Sequence, residues 1–292
     1  MRETLIERAD EARRELAQWR PGRWEASLLE ETPDGRNVLE FRSGDERLIG
    51  KVWPDGDGEA MLGLLQALAQ APTPTFRVPR PVGWCARSRV LVTEAARGAA
   101  CRGLGPATWA GPLERVGRAL REFHALHLRP TPLRQMSDHV RELMRPGPTT
   151  LATAFPTHAD RIGRTLVELD AAERAWGPLA VVPLHRDFHL RQLFDDGEHV
   201  TVLDWDDAAS GDAAFDVGYL TAYLKTHYGD AASVSGIAAF RAGYGGDREL
   251  WSRVPVYERF NFLRRACRRL RLQDRGWDRE LSAMMARLEP KE

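Results

Sequence analysis

His185-Arg186-Asp187-Phe188-His189-Leu190-Arg191-Gln192-Leu193-Phe194 is followed, after Asp195-Asp196-Gly197-Glu198, by Val200-Thr201-Val202-Leu203-Asp204-Trp205-Asp206. Two short β-prone runs around a turn signal predict a β-hairpin. Opposed residues of an antiparallel pair have position numbers with a constant sum. That register sets Gln192 near Leu203 and Asp204, with Asp187 just upstream. Asp204 then ends a buried strand, where an ion-free carboxylate is costly and a metal-bound one is not. Asp187 lies on the preceding loop, open to a substrate. Phosphoryl transfer asks for this set: a carboxylate to take a proton, oxygen ligands for Mg²⁺ and a cation on the phosphates. Taken singly, either aspartate reads as a turn cap or ion-pair partner. At the two ends of one hairpin, with an amide beside them, they favour catalysis.

The basic residues supply a second clue. Lysine occurs only at Lys51, Lys225 and Lys291, against a large majority of arginine. Lys51 sits in the strand-like run Arg47-Leu48-Ile49-Gly50-Lys51-Val52-Trp53, on the same face as Ile49 and Trp53. A compact ammonium on a mostly apolar strand suits a point contact with phosphate oxygens; a snorkelling lysine is the plain alternative. Glu59 opens a helical stretch that brings its carboxylate toward Lys51, although a glutamate there also suits the helix dipole.

With these residues in view, the chain resembles the aminoglycoside phosphotransferase and choline kinase-like group. The likeness rests on the Lys51 strand, the Glu59 helix, Val78-Pro79-Arg80-Pro81-Val82-Gly83, and Val90-Leu91-Val92-Thr93-Glu94. It continues through the helix from Val116 to Leu126, the Asp187 loop, Asp204, and Gly211-Asp212-Ala213-Ala214-Phe215-Asp216-Val217-Gly218. The resemblance implies an α+β, two-lobed protein-kinase-like fold. Its small lobe, residues 1–96, has an antiparallel sheet and helix; its large lobe, residues 97–292, is mainly helical and carries the catalytic loop and acceptor site. It implies Asp187 as catalytic base, Asp204 as Mg²⁺ ligand, and Lys51 on the phosphates of ATP or GTP. Thr93, Glu94 and Ala96 become the hinge that meets the base. The family usually has Gly where Arg186 stands and Asn where Gln192 stands. Gln192 keeps the amide oxygen of a metal ligand on a side chain one methylene longer. Glu31-Thr32-Pro33-Asp34-Gly35-Arg36-Asn37 occupies the phosphate-covering place with a single Gly, so Arg36 is expected to help there.

The implied activity is transfer of a terminal phosphate to a small-molecule hydroxyl, with an aminoglycoside or other antibiotic as the favoured acceptor and antibiotic resistance as the setting. A peptide or protein hydroxyl kinase and a noncatalytic nucleotide-binding scaffold are the alternatives. The interval from Asp204 to Asp216 is too short for a long activation loop and argues for a small acceptor. Asp206 and Asp207 are open to a substrate role, with acidic residues able to attract a cationic aminosugar or choline-like group. His185 is expected to brace the catalytic loop, and Asp212 and Asp216 to cap the helix near Phe215.

The 292 residues suit two lobes, and a formal net charge of zero gives no electrostatic case for nucleic acid or an anionic membrane as partner. Cys85, Cys101 and Cys267 show no metal-ligand spacing and fit a reducing cytoplasm. The histidines complete no zinc set. No apolar run suits a bilayer and the N-terminus is charged, so a cytoplasmic monomer or homodimer is expected. Leu5, Ile6, Ala9, Ala12, Leu16 and Trp19 predict an opening helix that packs on the small lobe. Strands are predicted over 24–30, 37–42 and 47–53 and near Val82 and Leu91, with Arg145-Pro146-Gly147-Pro148 breaking a later helix. Arg264, Arg265, Arg268, Arg269 and Arg271 read as the solvated face of a helix that buries Tyr257, Phe260, Leu263, Cys267 and Leu270.

Overall fold

A computed structural model describes residues 2–32, 35–54, 56, 58–128 and 132–289. The chain divides into two units, residues 1–99 with 193–206, and residues 100–192 with 207–292.

The first unit opens with α1 (Arg2–Trp19). Five strands follow, β1 (Glu25–Glu30), β2 (Val38–Ser43), β3 (Glu46–Val52), β5 (Pro81–Cys85) and β6 (Val90–Glu94), and they pair antiparallel in the order β1-β2-β3-β6-β5. Alternation sets the faces. Leu39 and Phe41 of β2 and Leu48 and Val52 of β3 turn inward onto Ala12 and Leu16 of α1 and onto Trp24, which forms the core of this unit. The opening helix thus packs where its apolar spacing places it. Lys51 falls on the opposite face of β3, between Val38 and Leu91 in the ladder. α2 (Gly58–Ala69) begins with Glu59 in its first turn.

A second sheet completes this unit. β9 (Leu193–Asp195) and β10 (Val200–Val202) form the expected hairpin, with Val200 opposite Asp195, Thr201 opposite Phe194 and Val202 opposite Leu193. Asp196 Oδ1 accepts the backbone N–H of Glu198 at 2.9 Å and of His199 at 2.6 Å, so the turn carries its own side-chain cap. β10 also pairs in parallel with β4 (Phe76–Arg77), and the Trp205 indole meets the Phe76 ring edge-on at 5.8 Å. These contacts draw the hairpin into the first unit, a difference from the expected division at residue 97, which kept it in the large lobe.

The two-residue β7 (Ala99–Ala100) marks the passage to the second unit, which is mainly helical. α3 (Ala110–His124) is followed by α4 (Met136–Leu143) and α5 (Pro148–Ala154), which the expected break at residues 145–148 separates, and then by α6 (Ala159–Trp176). β8 (Val182–Leu184) pairs antiparallel with β11 (Ala209–Gly211), setting Leu184, the residue before the His185 loop, opposite Ala209. α7 (Ala214–Tyr228), α8 (Asp230–Tyr244), α9 (Arg248–Leu272) and α10 (Trp277–Ala286) complete the unit. Every residue of α7 from Ala214 to Leu224 is buried, and the helix packs against α8 and α9. The Asp247 side chain caps α9 by accepting from the Leu250 N–H at 2.8 Å. Among the described residues no helix is long and apolar enough to cross a membrane.

α3 and α8 approach backbone to backbone. A Cβ on Gly117 would collide with the carbonyl oxygen of Phe240, and one on Gly243 with the carbonyl oxygen of Glu114. Neither obstacle is a flexible side-chain end, so the helices must move apart to admit a methyl group. Gly243→Ala is expected to destabilise the fold by about 3 kcal/mol, read as a lower denaturation midpoint with an unchanged slope.

Candidate active site

In the first unit the sheet brings together residues far apart in the chain. Lys51 Nζ donates to Asp204 Oδ1 and to Asp206 Oδ2, each at 2.6 Å. Arg36 Nη1 donates to the same Asp206 oxygen at 2.6 Å. The Trp53 ring lies 5.1 Å from the Arg36 guanidinium and 5.7 Å from the Lys51 ammonium, offering both a π-face. Burial draws the Lys51 pKa down, but the charges of Asp204 and Asp206 more than offset it and raise it. Burial pushes the Asp206 carboxyl up against the pull of Lys51. Two cations and two carboxylates leave the cluster near neutrality.

Asp204 sits at φ 61°, the left-handed region that aspartate tolerates better than most side chains. Among the described residues no group of three or more His, Cys, Asp or Glu is arranged to hold a metal ion. A magnesium ion carried on phosphates needs only one or two carboxylates, and Asp204, with 37% of its side chain exposed, fits that need. Glu59 lies exposed at the start of α2, and the Lys51 ion pairs go to the two aspartates. Along the expected hinge, Thr93 pairs with Ile49 across the sheet, the Glu94 N–H donates to Arg80 O at 2.8 Å, and Ala96 is half-buried. Pro33 and Asp34 of the expected phosphate-covering loop lie outside the described residues.

The second unit holds the Asp187 loop. Asp216, fully buried, accepts the N–H of His185 on Oδ2 and of Arg186 on Oδ1, both at 2.8 Å. His124 Nε2 meets Oδ2 at 3.2 Å, while His124 Nδ1 meets Tyr244 Oη at 2.9 Å. Asp216 is therefore the anchor of this loop and not the helix cap expected of it. Asp212 lies just ahead of the helix, where its Oδ1 accepts from the Ala214 N–H at 3.1 Å while both its oxygens bind Arg253. His185 Nδ1 accepts the Asp187 N–H at 3.2 Å.

The Asp187 carboxylate is surrounded by donors. Tyr219 Oη donates to Oδ1 at 2.6 Å, Arg264 Nη2 approaches the same oxygen at 3.3 Å, and Gln192 Nε2 donates to Oδ2 at 3.1 Å. His189 Nδ1 accepts the Arg191 N–H at 3.2 Å, which assigns the ring proton to Nε2, 3.4 Å from Asp187 Oδ2. Burial alone would push this carboxyl up; the His189 hydrogen bond and the Arg264 charge outweigh it and hold the carboxyl well below the usual range. Burial also raises the Tyr219 phenol, which keeps it a donor. Asp207 is half-buried and accepts from Arg186 Nη1 through its carbonyl at 3.3 Å.

Two of these residues escaped the sequence reading. Arg264 belongs to no solvated face, since it lies on Asp187, donates to Arg186 O at 3.2 Å and stacks 4.9 Å from the Tyr219 ring. Its signal was available. Arg253, Tyr257, Phe260, Arg264 and Cys267 recur at four- and three-residue steps, so both arginines fall on the buried stripe of α9. Tyr219 is concealed among the apolar residues of α7.

Arg186 stands at φ 66°, which accounts physically for the expectation of glycine at this position. A side chain in that conformation is held by outside contacts, here Glu142 Oε2 at 2.8 Å from Nη2. Arg186→Gly is expected to be more stable than Arg186→Ala by about 1 kcal/mol, the reverse of the order in ordinary backbone. Parallel denaturation of the two variants measures the difference.

Residues 29–257 match the model of the phosphotransferase enzyme family. The chain belongs to that family. No curated protein matches it. Among solved structures it is similar to a choline/ethanolamine kinase family protein from Mesorhizobium loti, at 20% identity, 96% of this chain and 93% of that one, TM-score 0.68. It is also similar to amicoumacin kinase hAmiN in complex with AMP-PNP, Ca²⁺ and Ami, at 16% identity, 99% and 96% coverage, TM-score 0.69. A third is spectinomycin phosphotransferase APH(9)-Ia in complex with ADP and spectinomycin, at 14% identity, 97% and 95% coverage, TM-score 0.65. At these identities the likeness shows the α+β, protein-kinase-like fold.

Proposed function

We propose that this phosphotransferase moves the terminal phosphate of ATP or GTP to a hydroxyl of a small molecule. The observation that carries the reading is the ion pair of Lys51 with Asp204, 153 positions apart in the chain and 2.6 Å apart in the fold. An ammonium beside a carboxylate is what a metal-bound triphosphate requires of a protein. The family and the nucleotide complexes of its structural neighbours support nucleotide use.

In this reading Asp204 and the Gln192 amide oxygen are the groups that would hold Mg²⁺, which would supply neutralisation of phosphate charge. Lys51 moves from its aspartates to the phosphates, and Arg36 is released from Asp206 to do the same. Thr93, Glu94 and Ala96 line the base. Asp187, oriented by Tyr219 and Arg264, accepts the acceptor's hydroxyl proton as that oxygen bonds to the terminal phosphorus. The bond to the bridging oxygen breaks, and the nucleoside diphosphate leaves with its electron pair.

The short interval between Asp204 and Asp216 supports a small acceptor over a polypeptide. Retention of Lys51, Asp187 and Asp204 supports turnover over a noncatalytic scaffold. The likeness to amicoumacin kinase and spectinomycin phosphotransferase supports an antibiotic among the acceptors, and the protein is read as cytoplasmic.

Asp187→Asn is expected to lower acceptor-dependent release of nucleoside diphosphate by about 10³-fold with nucleotide affinity little changed. Lys51→Ala is expected to weaken both, and chelation of Mg²⁺ to stop turnover. Unchanged turnover in Asp187→Asn would remove that residue from its role. Labelled phosphate passing to polypeptide and not to small compounds would replace the small acceptor.

A further inference from the structure

Asp206 stands where two cations of the first unit converge. Its Oδ2 alone accepts from Lys51 Nζ and from Arg36 Nη1, each at 2.6 Å. A phosphate oxygen is bound in the same way, by an ammonium and a guanidinium that meet on it. The Asp206 side chain is 14% exposed against 37% for Asp204, so the convergence is shielded from water and from dissolved ions.

Both cations keep their places by other contacts. Lys51 stands in the ladder between Val38 and Leu91, and its Nζ also donates to Asp204 Oδ1 at 2.6 Å. Arg36 precedes Asn37, whose side-chain oxygen accepts the Thr32 N–H at 2.8 Å and whose carbonyl accepts the Val52 N–H at 2.9 Å, so its backbone is tied to the sheet. The Trp53 ring lies 5.1 Å from the Arg36 guanidinium and 5.7 Å from the Lys51 ammonium. Asp206 itself belongs to no strand. It sits in a turn beyond β10, which delivers a carboxylate to cations that the sheet has already positioned.

We propose that Asp206 is a built-in occupant of the phosphate site, a carboxylate that fills the place of a phosphate oxygen between Lys51 and Arg36 and that nucleotide must displace. This rests on the phosphotransferase reading for its ligand and goes beyond it in making an acidic residue the opponent of nucleotide binding. A site filled by its own side chain is open in only a fraction of the molecules, and apparent affinity falls by that fraction. After displacement the carboxylate remains near the incoming phosphate, and their like charges oppose binding further. A ligand without phosphate meets no such competitor. The same carboxylate stabilises the nucleotide-free protein, because neighbouring cations repel unless an acid lies between them.

The test compares the full-length protein with Asp206→Ala and Asp206→Asn by calorimetric titration in Mg²⁺, using AMP-PNP, inorganic tripolyphosphate and adenosine. Asp206→Ala is expected to bind AMP-PNP and tripolyphosphate more tightly by about tenfold or more, and adenosine equally. Asp206→Asn, which keeps the shape and loses the charge, is expected to fall between. Both variants are expected to melt at lower temperature without ligand and to gain more from tripolyphosphate than the unaltered protein does. Unchanged or weaker AMP-PNP binding by a variant that still melts cooperatively would overturn the proposal and leave the phosphotransferase reading in place. An equal gain for adenosine would also overturn it, since that would set Asp206 against the base. Should Asp206→Ala fail to melt cooperatively, Asp206→Asn decides by the same outcomes. A gain for tripolyphosphate with AMP-PNP bound by none of the proteins would uphold the role of Asp206 and sink the phosphotransferase reading, and no binding of either phosphate ligand would overturn both.

Discussion

The second unit depends on one buried carboxylate. Asp216 has no exposed surface, and its two oxygens accept the His185 and Arg186 amides and meet His124. A polar group so placed is tolerable only when it is fully satisfied, and these three contacts supply that condition. They also fix position. The first turn of α7 is tied to the strand that ends at Leu184, so Tyr219, one turn further along α7, meets Asp187 at hydrogen-bond distance. α3 enters the same network through His124, and α8 through Tyr244. Four elements thus share one anchor, and the Asp187 carboxylate inherits its orientation from it.

Both units pair the cations they bury. In the first, Lys51 and Arg36 are matched by Asp204 and Asp206, a closed set that leaves little net field. In the second, Arg264 is matched by Asp187 and Arg253 by Asp212. Neutrality of the whole chain conceals this local matching, because net charge sums over every surface.

Much of the fold was legible. Period-two alternation placed the strands of the first unit, the Gly197 turn placed the hairpin, and helical spacing placed α1. The hairpin's attachment to the first unit was not legible, since its partner β4 is only Phe76–Arg77 and two residues show no period. In the site, Lys51, Asp187 and Asp204 stood out because charged groups on apolar frames are costly without a use. Asp216 was misread because an acidic residue in the first turn of a helix ordinarily serves that helix, and only tertiary packing reveals that its acceptors serve another loop. Arg264 was misread because five arginines in eight positions resemble a solvated face, although two of the arginines on α9 keep step with its buried aromatics.

The attachment of residues 193–206 to the first unit has a consequence for biogenesis. The chain leaves that unit after residue 99, returns to it at 193 and leaves again after 206. β4 therefore lacks its β10 partner until the ribosome has passed about two thirds of the message, and the Phe76 ring waits for Trp205 over the same interval. The earlier part of the nascent chain carries an unfinished sheet edge, which makes it a natural client for chaperones during synthesis. It also means that no single cut in the polypeptide frees either unit whole. A gene fragment ending near residue 99 encodes the five-stranded sheet without Asp204, the residue on which Lys51 closes.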